Sequence, residues 1–190
     1  MDEDTWWALI EEARAAVGSR ADDRDPPDDP LPEALTDVLV RLSREEIVEF
    51  AVRHVEARQS AYRWELWGAA DLIEGGCSDD GFMDFRDGLV LLGRATFTRA
   101  LADPDTLADL PVITRMSREE AGWIGYESLS YPIADAYQRI TGETESLDEG
   151  IGQALEEMAH PEDPAGERWK FDDDEETRSR LPRLAELFLD

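Results

Sequence analysis

Apolar residues recur along this chain at intervals of three and four, and no run alternates apolar with polar for the length a strand requires. That periodicity restricts the fold to helices that bury one face each. Trp6, Ile10, Ala13 and Val17 form the first stripe, with Asp4 or Thr5 as the expected cap and Gly18 as the stop. Leu35, Val38, Leu39 and Leu42 follow a first-turn Pro32. Ser43-Arg-Glu-Glu46 is a capping box, in which a serine hydroxyl and a glutamate carboxylate satisfy two orphan amides reciprocally, and it predicts a long helix to about Tyr62. The same tetrapeptide at Ser117 to Glu120 predicts a second use of the cap. Trp64, Leu66, Trp67, Ala69, Ala70 and Ile73 make the next stripe, ended by Gly75-Gly76. Ser78 or Asp79 then caps a helix that buries Phe82, Phe85, Leu89 and Leu92. Asp103-Pro104 opens a short helix, and Tyr126, Leu129, Ile133, Tyr137 and Ile140 trace a stripe closed by Gly142. A weaker helix is expected around Ile151 to Met158 and a last one from Arg178 to Leu189, across Pro182. The expectation is an all-α fold, a single-domain irregular or orthogonal bundle of about seven to nine helices over residues 1–190.

Charge decides what such a bundle can meet. Among 190 residues, 46 Asp and Glu oppose 19 Lys and Arg, a formal charge of −27. Lys170 is the one lysine. A field of that sign repels nucleic-acid phosphate and anionic lipid, so neither direct nucleic-acid binding nor membrane association is expected. The acid is unevenly placed: residues 21–31 form an acidic, proline-rich loop, and residues 143–176 hold fourteen acids against Arg168 and Lys170. Both stretches read as solvated and too polar for core. The N-terminal Met-Asp-Glu-Asp lacks the positive charge and apolar run of a signal peptide, and Leu89 to Leu92 is the longest aliphatic run, so a soluble cytoplasmic protein is expected.

Familiar catalytic motifs are incomplete. Cys77 has no second cysteine to pair with, and His54 and His160 beside it fall short of a four-ligand zinc site; no metal and no cofactor is expected. Gly76-Cys-Ser-Asp-Asp-Gly81 has one residue too many for a nucleophile elbow. The sole lysine follows Trp169, so there is no phosphate-binding P-loop. Asp172-Asp-Asp-Glu-Glu176 lacks the central glycine of a calcium loop.

What stands out is charge on apolar arcs. His54 and Arg58, one turn apart, fall inside the arc of Ile47, Phe50, Ala51 and Val55. Asp71 leans to the side of Trp64 and Trp67, and Arg86 follows Phe82 by one turn. Buried charge must be paired or line a pocket. One reading has Arg58 and Arg86 bonded to Asp71, Asp79 or helix C-terminal carbonyls, with the tryptophans as core. The other has a pocket floored by Trp64 and Trp67, its guanidinium forks facing a polar or anionic ligand. In that pocket His54 would serve as acid or base and Cys77 as nucleophile, although Asp79 and Asp80 oppose activation of the thiol.

Ala61-Tyr-Arg-Trp-Glu-Leu-Trp-Gly-Ala-Ala70, Gly75-Gly-Cys-Ser-Asp-Asp-Gly-Phe82, Phe85-Arg86 and Ala102-Asp-Pro-Asp105 together resemble the bacterial family known as domain of unknown function 4240. The N-terminal Trp-Ala-Leu-Ile and Leu181-Pro-Arg-Leu184 resemble its two ends, and Gly88 stands where the family pattern suggests a tryptophan. The resemblance implies a small helical bacterial domain and carries no activity. The leading functional expectation is therefore a non-enzymatic acidic binding domain that docks a basic protein partner in an accessory, regulatory or toxin-neutralising role. Asp172, Asp173, Asp174, Glu175 and Glu176 are its candidate surface. The alternatives are a ligand-binding or catalytic pocket of His54, Arg58, Trp64, Trp67, Asp71, Cys77, Asp79 and Arg86, and a structural domain whose charge keeps it soluble.

Overall fold

Local capping chemistry sets most helix limits in the computed structural model, which describes residues 1–22, 29–156, 158 and 161–189. Residues 23–28, most of the acidic 21–31 loop, and His160 lie outside the described residues. Helix α1 (Glu3–Val17) starts two or three residues earlier than an Asp4 or Thr5 cap would place it, because Asp2 accepts the Thr5 amide at 2.7 Å. It stops at Gly18, whose φ of 63° only glycine adopts without strain. Helix α2 (Leu31–Leu39) packs along α1 and buries Leu31, Leu35, Val38 and Leu39. The capping box opens α3 (Arg44–Ser60): Ser43 Oγ accepts the Glu46 amide at 3.2 Å, and the Glu46 carboxylate accepts the Ser43 amide at 2.8 Å.

Between α3 and α4 (Trp64–Glu74) the chain is held open by a distant residue. The Ala165 amide donates to the Tyr62 carbonyl, and the Trp64 amide donates to the Ala165 carbonyl, both at 2.9 Å. These bonds take the backbone groups that would have continued α3. Helix α5 (Asp79–Leu91), capped by Ser78, buries five successive residues from Asp87 to Leu91. That half of α5 is buried on every side and lies inside the bundle, whereas Asp79, Asp80 and Met83 toward its start are exposed. A Cβ on Gly88 would lie 1.8 Å from the Ile124 carbonyl oxygen, so this position admits no side chain, least of all an indole.

Helix α6 (Arg94–Ala102), a 3-10 turn (Pro104–Asp109) capped by Asp103, and α7 (Pro111–Met116) complete the central part. Helices α8 (Ser130–Thr141), α9 (Glu145–Glu156), α10 (Asp174–Arg180) and α11 (Pro182–Phe188) follow. The class is all-α. Eleven α-helices occur among the described residues, more than the seven to nine expected, and the only strand-like pairing there is the Arg63–Ala165 bridge.

Four local expectations need correction. Ser117 to Glu120 caps nothing: Ser117 ends α7, Glu119 takes a φ of 57°, and two glycines in the next five residues, Gly122 and Gly125, leave no helix to cap. Tyr126 and Leu129 precede α8, and Ile140 is exposed, so that stripe shortens to Ile133, Ala136 and Tyr137. The last helix is two, because Pro182 has no amide to donate and its ring collides with the preceding turn. Nor is the stretch 143–176 purely solvated. Leu147 and Trp169 belong to the core, where the Trp169 ring occupies the space a Cβ of Gly68 would fill, with Cζ2 2.2 Å from that position. One cluster of buried side chains runs from Trp6 to Leu184.

Candidate functional site

The inward charges on α3 meet an acid that sequence reasoning did not single out. His54 Nε2 lies 2.8 Å from Asp87 Oδ1, and the other carboxylate oxygen accepts the Leu129 amide at 3.0 Å. Arg58 approaches that same oxygen at 3.9 Å. Burial opposes ionisation of Asp87, but the His54 bond, the charges of His54 and Arg58 and the Leu129 amide outweigh it, holding the carboxyl below its ordinary range. Side-chain exposures of 4% for His54 and 1% for Asp87 place the pair inside the core. The cluster ties α3, α5 and the approach to α8 together.

The second group forms a stack. Trp64 lies flat on Trp67 at a centroid distance of 5.4 Å, and Trp67 lies on Phe82 at 4.8 Å. The Arg86 guanidinium covers Phe82 and Tyr62 at 4.7 and 4.9 Å, and Arg168 covers Trp64 at 4.8 Å. Cation–π contact of this kind adds to ring burial. Arg86 is also hydrogen-bonded, its Nη1 donating to the Arg58 carbonyl at 3.0 Å and its Nε to the Phe82 carbonyl at 3.2 Å. Burial and the neighbouring Arg58 charge pull it down to about 10, which leaves it protonated at neutral pH. Asp71 accepts the Cys77 amide at 2.8 Å, and the Trp67 indole donates to the Cys77 carbonyl at 2.9 Å. These bonds fix the turn that carries the cysteine.

Of the eight candidate pocket residues, His54 and Arg58 thus meet around Asp87, whereas Trp64, Trp67, Asp71, Cys77 and Arg86 gather around Phe82 and the Gly75-Gly76 turn. Asp79 stands exposed in the first turn of α5. Burial pushes the Cys77 thiol up to about 12, and the Glu74 and Asp71 carboxylates add to the shift. That is opposite to the direction a nucleophilic thiolate needs. Beside it, burial raises Glu74 to about 7 against the opposing Trp123 indole, and one of its oxygens is buried without a partner.

In the acidic segment Asp172, Asp173, Asp174 and Glu175 are exposed, and Glu176 is half-buried. Asp173 caps α10 by accepting the Glu176 amide at 3.1 Å, and Glu176 pairs with Arg180 at 2.8 Å. Acids in a helix's first turn meet the positive end of its dipole, so part of this cluster serves α10 itself. Among the described residues no group of three or more His, Cys, Asp or Glu side chains is placed to hold a metal ion, and no helix is long and apolar enough to cross a membrane.

Two further features escaped the sequence reading. Buried Asp105 accepts the Arg183 and Leu184 amides, capping α11 from a distant part of the chain. A cavity of about 360 Å³ also opens between α1, α3 and α6, with Trp6, Trp7 and Phe97 among its walls.

A bundle of short capped helices around a buried central helix, with its inward cations bonded internally, defines a small all-α domain. The chain belongs to the family described as a protein of unknown function, DUF4240, whose profile matches residues 1–139. The match ends short of Leu181–Leu184. No curated protein and no solved structure matches the chain.

Proposed function

We propose that this is a non-enzymatic acidic binding domain that docks a basic protein partner through the segment Asp172 to Glu176. The observation that carries the reading is the exposure of four successive acids from Asp172 to Glu175, while Arg58 and Arg86 of the central block turn toward Asp87, carbonyls and rings. An exterior left negative in this way speeds and orients encounter with a basic surface. The pocket reading of the 54–86 block has less support, because the Trp67 indole N–H and two Arg86 nitrogens are already bonded within the fold.

The test uses a fluorescent peptide of nine arginines, with anisotropy read at low and raised salt. Asp172→Asn, Asp174→Asn and Glu175→Gln are combined, leaving the Asp173 cap intact. The control removes equal charge elsewhere through Glu33→Gln, Glu45→Gln and Asp148→Asn. The segment variant is expected to lose about tenfold more affinity than the control at low salt. Equal losses would leave only the net field and favour the solubility reading.

A further inference from the structure

We propose that the cavity between α1, α3 and α6 is a binding site for a small organic cation, a protonated amine carried on an apolar or aromatic body.

Its shape follows from three helix faces. Arg53, Glu56, Ala57 and Ser60 are spaced i, i+3, i+4 and i+7 on α3 and so share one side of it. Glu3, Trp6 and Trp7 come from α1, and Phe97, Thr98 and Leu101 from α6. Trp6 and Trp7 meet edge to face at 4.5 Å, and Trp7 packs on Phe97 at 5.2 Å. With Leu101 and Ala57 they make an apolar floor. A volume of about 360 Å³ lies at the small end of the range that ligand sites occupy.

The polar rim sets the ligand's charge. The Ser60 hydroxyl donates to the Ala57 carbonyl at 2.7 Å, so toward the cavity it has only lone pairs to offer. Arg53 is partly engaged, with Nε on the Met1 carbonyl at 2.8 Å and Nη1 on Glu56, another wall residue, at 2.5 Å. The Trp6 indole N–H is spent on the Phe50 carbonyl at 3.1 Å. Glu3 keeps only a loose contact with Arg94, at 3.7 Å, because that guanidinium bonds Asp4 at 2.6 Å. Two carboxylates, Glu3 and Glu56, against the one guanidinium of Arg53 leave the lining net negative. That balance favours a ligand that brings positive charge and donors over an anion.

This site shares no lining residue with Asp172 to Glu176, so its test is independent of the docking reading. Benzylamine, benzyl alcohol and benzoate are titrated into the ¹⁵N-labelled protein while the indole N–H resonances of Trp6 and Trp7 are followed. Benzylamine is expected to shift them saturably, benzyl alcohol to bind about tenfold more weakly, and benzoate to leave them unmoved. Ala57→Leu, which fills the cavity, is expected to abolish the shift, and Glu3→Gln, on an exposed residue, to weaken benzylamine about threefold. Should Ala57→Leu fail to fold, the three probes and Glu3→Gln still decide. The proposal is overturned if benzoate or benzyl alcohol binds as tightly as benzylamine, if benzylamine gives no saturable shift, or if its binding survives in folded Ala57→Leu.

Discussion

Removing the Asp87 carboxylate tests whether the buried charges of this bundle are structural. In Asp87→Ala the Leu129 amide, bonded at 3.0 Å in the wild type, becomes an orphan donor, and a buried unsatisfied donor costs about 1–3 kcal/mol. The His54 ring, with a side-chain exposure of 4%, loses its partner and adds a similar amount. Arg58 is 26% exposed and can turn to water, so it adds little. The sum is about 4 kcal/mol, a large share of the ~5–15 kcal/mol that holds a domain together. With a urea slope near 2 kcal/mol/M, the unfolding midpoint followed by tryptophan fluorescence falls by about 2 M. Asp87→Asn keeps an acceptor for the Leu129 amide and a donor for a His54 ring in its other tautomer, so it loses about 1–2 kcal/mol. The pH dependence has a definite sign. Because the folded carboxyl is held below its unfolded value of about 3.9, its contribution is fully present above that value and is lost as pH falls through the folded one. The wild-type advantage over Asp87→Asn therefore persists from about pH 5 to 8 and shrinks below about pH 4. An Asp87→Ala midpoint within about 0.5 M of wild type, at unchanged slope, would refute the account of this cluster.

Three other perturbations read other parts of the fold. Glu74, raised from 4.5 to about 7, is favoured in its neutral form on folding, so its stabilising effect is complete below the unfolded value and disappears as pH rises through the folded one. Glu74→Gln should be about 1–2 kcal/mol more stable than wild type at pH 8, after discounting for partial exposure, and no more stable at about pH 4, by urea melts at both. Gly68→Ala should destabilise by driving out the Trp169 ring, yet become neutral or stabilising by up to about 1 kcal/mol in a Trp169→Ala background, where only the Phe171 ring edge at 3.2 Å, with the vacated space to move into, opposes helix propensity. If the sign does not change between backgrounds, that ring does not sit on α4. With its thiol near 12, Cys77 should react with iodoacetamide at pH 8 at least about a hundredfold more slowly than free cysteine, and rates comparable to the free thiol would contradict the burial assigned to it.

Caps and stops were legible because they are short-range chemistry. Ser43 with Glu46, Ser78, Asp103 and Gly75 act within one helical turn, and the structure uses each as the residues imply. The second Ser-Arg-Glu-Glu misled because a cap requires a helix behind it, and Gly122 and Gly125 prevent one. The inward lean of His54 and Arg58 was readable from their wheel positions, but Asp87 was hidden: it lies off the stripe of Phe82, Phe85, Leu89 and Leu92, and only the packing around the C-terminal half of α5 buries it. Trp169 was masked by the acids around it, since composition averages over a window and one aromatic ring does not.

By itself, the order of residues determined the all-α class, the main stripes and the uneven spread of acid, all properties of neighbours along the chain. Tertiary structure alone decided how α3 and α4 separate, where α11 is capped and which acid receives His54. Those depend on Ala165, Asp105 and Asp87, each supplied by a distant part of the chain. Backbone amides and buried charges must be satisfied wherever the fold leaves them, and a partner far away in sequence satisfies them as well as a near one.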